Sequence, residues 1–101
     1  MKIVFLEATK ADLRWFKRYY TKTFPEGRAN ANSQYRAFLR LLKERPTIGR
    51  PAEDGEGVRE YSIPRTPFAV LYRVVEDRVE TMRVYDSRSE FSNRHIKMKD
   101  T

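Results

Sequence analysis

The eight residues FAVLYRVV, Phe68 to Val75, restrict this chain more than any other stretch. Only Arg73 interrupts an otherwise apolar, aromatic and β-branched run. Such a run fits a strand in the middle of a sheet, where little of it meets water. The flanking residues complete a meander. Downstream, Glu76-Asp77-Arg78 reads as a tight hairpin turn into a strand over Val79 to Tyr85. Upstream, Val58 to Ile63 reads as a third strand, joined through the turn Pro64-Arg65-Thr66-Pro67. Arginine recurs along all three strands. Those arginines could form a catalytic surface, a nucleic-acid surface, or the dressing of a sheet that binds another protein.

The rest of the chain supplies cover for the sheet. KIVFLE, Lys2 to Glu7, reads as an N-terminal strand. Thr9 has the chemistry of an N-cap, with Asp12 three residues on near the positive end of a helix. Leu13, Phe16, Tyr20 and Phe24 recur at helical spacing, so a helix is expected over about Lys10 to Thr23. Trp15 and Tyr19 widen its apolar face, and Pro25-Glu26-Gly27 ends it. After a short polar connection, Tyr35, Phe38, Leu39 and Leu42 mark a second amphipathic helix. Arg36, Arg40, Lys43 and Arg45 fill its other face, and Pro46 stops it. Gly49 to Gly57 reads as a loop, and Glu90 to Lys97 as a possible short helix. The order β-α-α-β-β-β is that of an α+β fold, a helical hairpin packed on an antiparallel sheet. Residues 1–101 are read as one domain.

Composition narrows the function. With 40% hydrophobic and 13% aromatic residues, the chain can fill one modest core rather than remain disordered. The net charge of +7 predicts attraction to an acidic partner. No cysteine is present, which suits a reducing cytoplasm, and His95 is the single histidine. No apolar run approaches the roughly 20 residues of a membrane span. The apolar run of the opening decapeptide is too short for a secretion signal.

Chemical motifs are few. Ser62, Ser87, Ser89 and Ser92 have no neighbouring His and acid for a nucleophilic triad. Glu53, Asp54 and Glu56 cluster, but on a Gly-rich loop that reads as solvated rather than as a metal site. No cofactor is expected. Metal-free RNA cleavage has materials in Arg59, Arg65, Arg73, Arg83, Arg88, Arg94 and His95. Tyr61, Tyr72 and Tyr85 interleave with arginine as base-stacking residues can. No sequence-specific nucleic-acid motif accompanies them.

The element order, IGRP (Ile48 to Pro51), VREY (Val58 to Tyr61), PFAVLYRV (Pro67 to Val74) and MRVYDSR (Met82 to Arg88) together resemble the RelE/ParE superfamily of bacterial type II toxins. The resemblance covers essentially the whole chain. It implies two possible activities on one fold: ribosome-dependent mRNA cleavage in RelE-like members, and inhibition of DNA gyrase in ParE-like members. The positions that carry basic residues in RelE-like toxins fall here on Glu60, Ser62, Ala69 and Ser89, next to Arg88, with His95 near the C-terminus. Glu60 and Ala69 cannot stabilise a phosphoryl transition state. IGRP and the PRTPFAVLYRV hairpin are more similar to the ParE branch.

The expectation is therefore a cytoplasmic ParE-like toxin with no catalytic residues of its own. If it were a nuclease instead, Arg88 and His95 would act. A third possibility is a degenerate toxin kept as an interaction module. The resemblance implies a hetero-oligomer with a cognate, acidic antitoxin whose C-terminal segment folds on binding. Candidate gyrase contacts and toxicity residues are Arg59, Arg65, Arg83, Arg88, Phe91 and His95. Candidate antitoxin contacts are Trp15, Tyr19, Arg36, Arg40 and Arg83.

Overall fold

The computed structural model of the chain describes residues 1–53 and 55–88. The order is β1 (Lys2–Phe5), α1 (Glu7–Arg18), a π-helical turn (Tyr19–Thr23), a 3-10 turn (Pro25–Gly27), α2 (Arg28–Glu44), β2 (Arg50–Pro51), β3 (Val58–Ser62), β4 (Phe68–Val75) and β5 (Arg78–Asp86). The expected β-α-α-β-β-β order and the α+β class hold. The five strands lie in the order β1-β5-β4-β3-β2, so the apolar run of β4 occupies the centre.

Both helices pack on one face of the sheet. Side chains alternate along a strand, and β4 divides accordingly. Phe68, Val70 and Tyr72 meet Phe16 and Tyr20 of the first helical segment and Ala31, Phe38 and Leu42 of α2. Ala69 and Leu71 point the other way and join Val58 and Tyr85 in a second, smaller cluster. The stripe expected on α2 is the one it buries: Phe38 and Leu42 are fully covered, Tyr35 and Leu39 partly.

Four details depart from the sequence reading. The sheet is mixed, because β1 runs parallel to β5, with Lys2 beside Arg78 and Phe5 beside Thr81. Helix α1 begins at Glu7, so Thr9 is no N-cap: it lies inside the helix, fully buried, and its hydroxyl donates to the Thr81 carbonyl at 2.6 Å. No polar connection separates the helices, since the π-helical and 3-10 turns carry the chain straight into α2. The Gly49 to Gly57 loop contains β2, whose Arg50 and Pro51 pair with Glu60 and Arg59 of β3. The possible helix over residues 90–97 lies outside the described residues.

The turn before β2 is held from two sides. The Tyr72 hydroxyl accepts the Gly49 N–H at 2.8 Å, and Arg59 donates to the Gly49 carbonyl at 2.6 Å. A Cβ on residue 49 would stand 2.7 Å from the Tyr72 hydroxyl and 2.9 Å from the Glu60 carbonyl oxygen. Only glycine fits so close an approach. Burial pushes the Tyr72 hydroxyl above its ordinary pKa, so it stays a neutral partner for that N–H.

Candidate functional site

The arginines of the sheet are mostly engaged with the protein's own acids. Leu71 pairs with Arg83 while Tyr72 pairs with Thr81, so Met82 is an extra residue in a β-bulge. Beyond the bulge β5 has outrun β1, and α1 takes over its open edge. The Asp12 carboxylate accepts the Val84 N–H at 2.8 Å and two bonds from Arg83 at 2.8 and 3.0 Å. The Arg83 side chain is only 12% exposed. Arg83 was expected to meet both the target and the antitoxin; its position is that of a strut between α1 and β5.

On the helix-free face, Glu60 is buried and paired with Arg50. Glu80 divides its two oxygens between Arg73 at 2.8 Å and Arg78 at 3.0 Å. Those two hydrogen bonds hold the Glu80 carboxyl below the usual carboxylate range. None of these pairs was anticipated from the sequence. Asp12 did leave a trace: Thr9, Asp12, Phe16 and Tyr20 share one helical phase, the buried one.

The remaining predicted residues divide by location. Arg59 reaches the carbonyls of Thr47 and Gly49 and clamps the turn before β2. Arg65 is exposed in the β3–β4 turn with φ 62°, and its carbonyl accepts a bond from Asn30. Arg36 and Arg40 are exposed on α2. Phe91 and His95 lie outside the described residues, as does Ser89.

Trp15, Tyr19 and Arg88 converge. Trp15 and Tyr19 both stand edge-on against Phe68, each with ring centroids 5.3 Å apart from it. Trp15 keeps 37% of its surface in water, and Phe24 nearby keeps 45%. The π-helical turn is what continues this aromatic surface past the end of α1; such turns often mark functional positions. Arg88 reaches the Tyr19 hydroxyl at 3.5 Å and is gripped by Asp86 at 2.9 and 3.1 Å. Burial opposes ionisation of Asp86, but the Arg88 side-chain and backbone N–H bonds outweigh it and hold the carboxyl below its ordinary value. The result is an aromatic patch with one oriented guanidinium at its edge, the residue types that dominate protein interfaces.

A second feature lies at the β1 edge of the sheet. Ile3, Phe5 and Leu39 floor a groove between β1 and α2, with Lys2, Arg40 and Lys43 at its rim. Among the described residues, no strand pairs with the outer edge of β1.

One sequence-derived option loses ground on geometry. Tyr72 and Tyr85 are buried, and Tyr61 stacks on Phe38 with ring centroids 4.8 Å apart. They form core, not a platform for bases. Among the described residues, no three His, Cys, Asp or Glu side chains gather as a metal would require, and no helix is long and apolar enough to cross a membrane.

Comparison with known proteins adds identity to this geometry. No curated protein matches the chain. Among solved structures, the chromosomal ParDE toxin–antitoxin system from P. aeruginosa is similar, with 25% sequence identity and a TM-score of 0.67. The match covers 83% of this chain and 92% of that one. The family described as ParE toxin of type II toxin-antitoxin system, parDE, matches residues 3–91, which run from within β1 through both helices and past the end of β5. A sheet with a helical hairpin on one face, matched from the first strand past the last, belongs to a member of the ParE toxin family of type II toxin–antitoxin systems.

Proposed function

We propose that this protein stops growth by binding DNA gyrase rather than by cutting RNA, and that a cognate antitoxin neutralises it in the cytoplasm. The carrying observation is the state of two positions where the RelE-like branch would place cations. Glu60 is a buried carboxylate already committed to Arg50, and Ala69 is fully buried. Neither can meet a scissile phosphate, and the negative charge of Glu60 would repel one. Family membership supports the toxin role, and the ParDE neighbour supports an antitoxin partner.

The target-binding role is assigned to Trp15, Tyr19 and Arg88, because an exposed and a half-buried ring beside an oriented guanidinium give binding energy without reacting atoms. The antitoxin role is assigned to the groove between β1 and α2, whose apolar floor and basic rim suit an acidic, apolar segment. Supercoiling of a relaxed plasmid by purified gyrase, with the toxin added alone and then with antitoxin, tests the reading. Inhibition or trapped cleaved plasmid that antitoxin reverses is the expected result. Full supercoiling at high toxin excess, with mRNA cleaved on ribosomes instead, would replace it with the nuclease involving Arg88 and His95. Absence of growth arrest on expression without antitoxin would leave an interaction module.

Alanine variants separate the two assigned surfaces. Arg88→Ala is expected to lose gyrase inhibition and keep antitoxin binding, measured by pull-down. Loss of antitoxin binding alone would exchange the roles.

A further inference from the structure

Charge is not spread evenly over the fold. Residues 7–45, the helical hairpin, hold ten Lys and Arg against four Asp and Glu; the rest of the chain holds eleven against ten. The hairpin thus accounts for six of the seven net positive charges. Pairing sharpens the contrast. Arg50, Arg73, Arg78, Arg83 and Arg88 each lie within ion-pair distance of a carboxylate. On the hairpin, Lys10 pairs with Glu7, and no other cation has a salt-bridge partner among the described residues.

The unpaired cations occupy the solvent side of both helices. Arg14, Lys17 and Arg18 are exposed on α1, and Arg36, Arg40 and Lys43 on α2. On α2 they follow the spacing i, i+4, i+7, one above another along a single stripe. Asn32 and Ser33, also exposed, continue that stripe toward the start of the helix. The α2 stripe contains no large apolar side chain, and on α1 only Trp15 at its border is large, apolar and exposed. A protein-binding surface needs an apolar, charge-depleted centre. Phosphate backbones are held by Arg, Lys, Asn and Ser with no such centre.

We propose that the solvent face of the helical hairpin binds the phosphate backbone of duplex DNA without reading its sequence. Opposite the sheet, it borders the aromatic patch at Trp15 and shares Arg40 and Lys43 with the rim of the β1–α2 groove. The proposal does not depend on gyrase, since naked DNA is the ligand. Its consequence for a toxin is delivery: weak backbone binding concentrates the protein on DNA and lets it slide and hop there.

The test is fluorescence anisotropy with a labelled 20-base-pair duplex of arbitrary sequence, titrated at several salt concentrations. The intact protein should bind with log K falling linearly against log salt, at about 0.9 per phosphate contacted. R14Q/K17Q/R18Q and R36Q/R40Q/K43Q should each flatten that slope by about 2 to 3 and leave the melting temperature in place. Unlabelled duplexes of unrelated sequence should compete equally. An unchanged slope in both variants overturns the proposal. So does poly-glutamate displacing the duplex at equal charge concentration, which would make the face a site for acidic protein. Binding to anionic lipid vesicles with no binding to the duplex would make it a membrane surface and overturn it as well.

Discussion

The sheet and the helical hairpin of this toxin use the same residue type in opposite ways. On the sheet, arginine side chains are turned back onto the protein's own acids, as Arg83 is onto Asp12 and Arg73 and Arg78 are onto Glu80. On the hairpin they extend into water without carboxylate partners among the described residues. The lesson concerns how arginines should be read. An arginine in a half-buried sheet is first a structural group, because its charge must be matched where water is scarce. An unpaired arginine on a helix surface contributes little to stability and remains available for a ligand.

Substitutions should expose that difference, and the largest effect is expected at Asp12. Asp12→Ala leaves the guanidinium of Arg83 nearly buried without its partner and strips the acceptor from the Val84 N–H. Breaking one side of a buried pair costs about 3–5 kcal/mol. Urea denaturation should show a loss of that size; a loss under 1 kcal/mol would mean that the strut is incidental. Next comes Gly49→Ala, which drives a methyl group into the Tyr72 hydroxyl and the Glu60 carbonyl. Overpacking of this kind costs about 1–3 kcal/mol. The same denaturation experiment checks it, and a neutral result would show that the turn can move aside.

Glu80 should reveal itself through pH. Its folded carboxyl is held below the ordinary carboxylate value by Arg73 and Arg78, so the unfolded chain takes up the proton more readily. The stabilisation is therefore complete above the unfolded value and disappears as pH falls through the lower folded one. Glu80→Gln should flatten the acid limb of a stability–pH profile; an identical profile would refute the linkage. The smallest effect belongs to the hairpin. Arg36→Gln removes an exposed charge with no carboxylate partner and should change stability by no more than about 0.5 kcal/mol. A larger loss would erase the distinction between the two regions.

What could be read from the sequence follows from how local each signal is. The limits of β4 were legible at both ends, because an apolar run between turn residues needs no distant partner to be recognised. The stripe of α2 was legible for the same reason. The start of α1 was not: Thr9 and Asp12 have the chemistry of helix-start residues, yet both are buried against β5, where they serve its backbone. The strand β2 escaped notice because two residues, one of them proline, carry no pattern.

Site residues were harder. Trp15 and Tyr19 were recognisable as apolar side chains off the main stripe. Their meeting with Arg88 depends on a contact between residues 69 positions apart. Arg83 looked like its neighbours, and only the bulge at Met82 and the end of β1 explain why it turns to Asp12. The uneven distribution of charge, by contrast, was countable from the sequence once the hairpin's limits were known.

The parallel pairing of β1 with β5 also bears on when the molecule can acquire its form during synthesis. The Thr81 hydroxyl donates to the Val4 carbonyl across 77 positions of chain. As the polypeptide emerges from the ribosome, β1 and both helices arrive first, with neither the β4 face that covers the hairpin nor the strand that pairs with β1. Contacts so remote in sequence form late and slow the final step. The nascent chain thus remains without its finished sheet until β5 has been released from the ribosome.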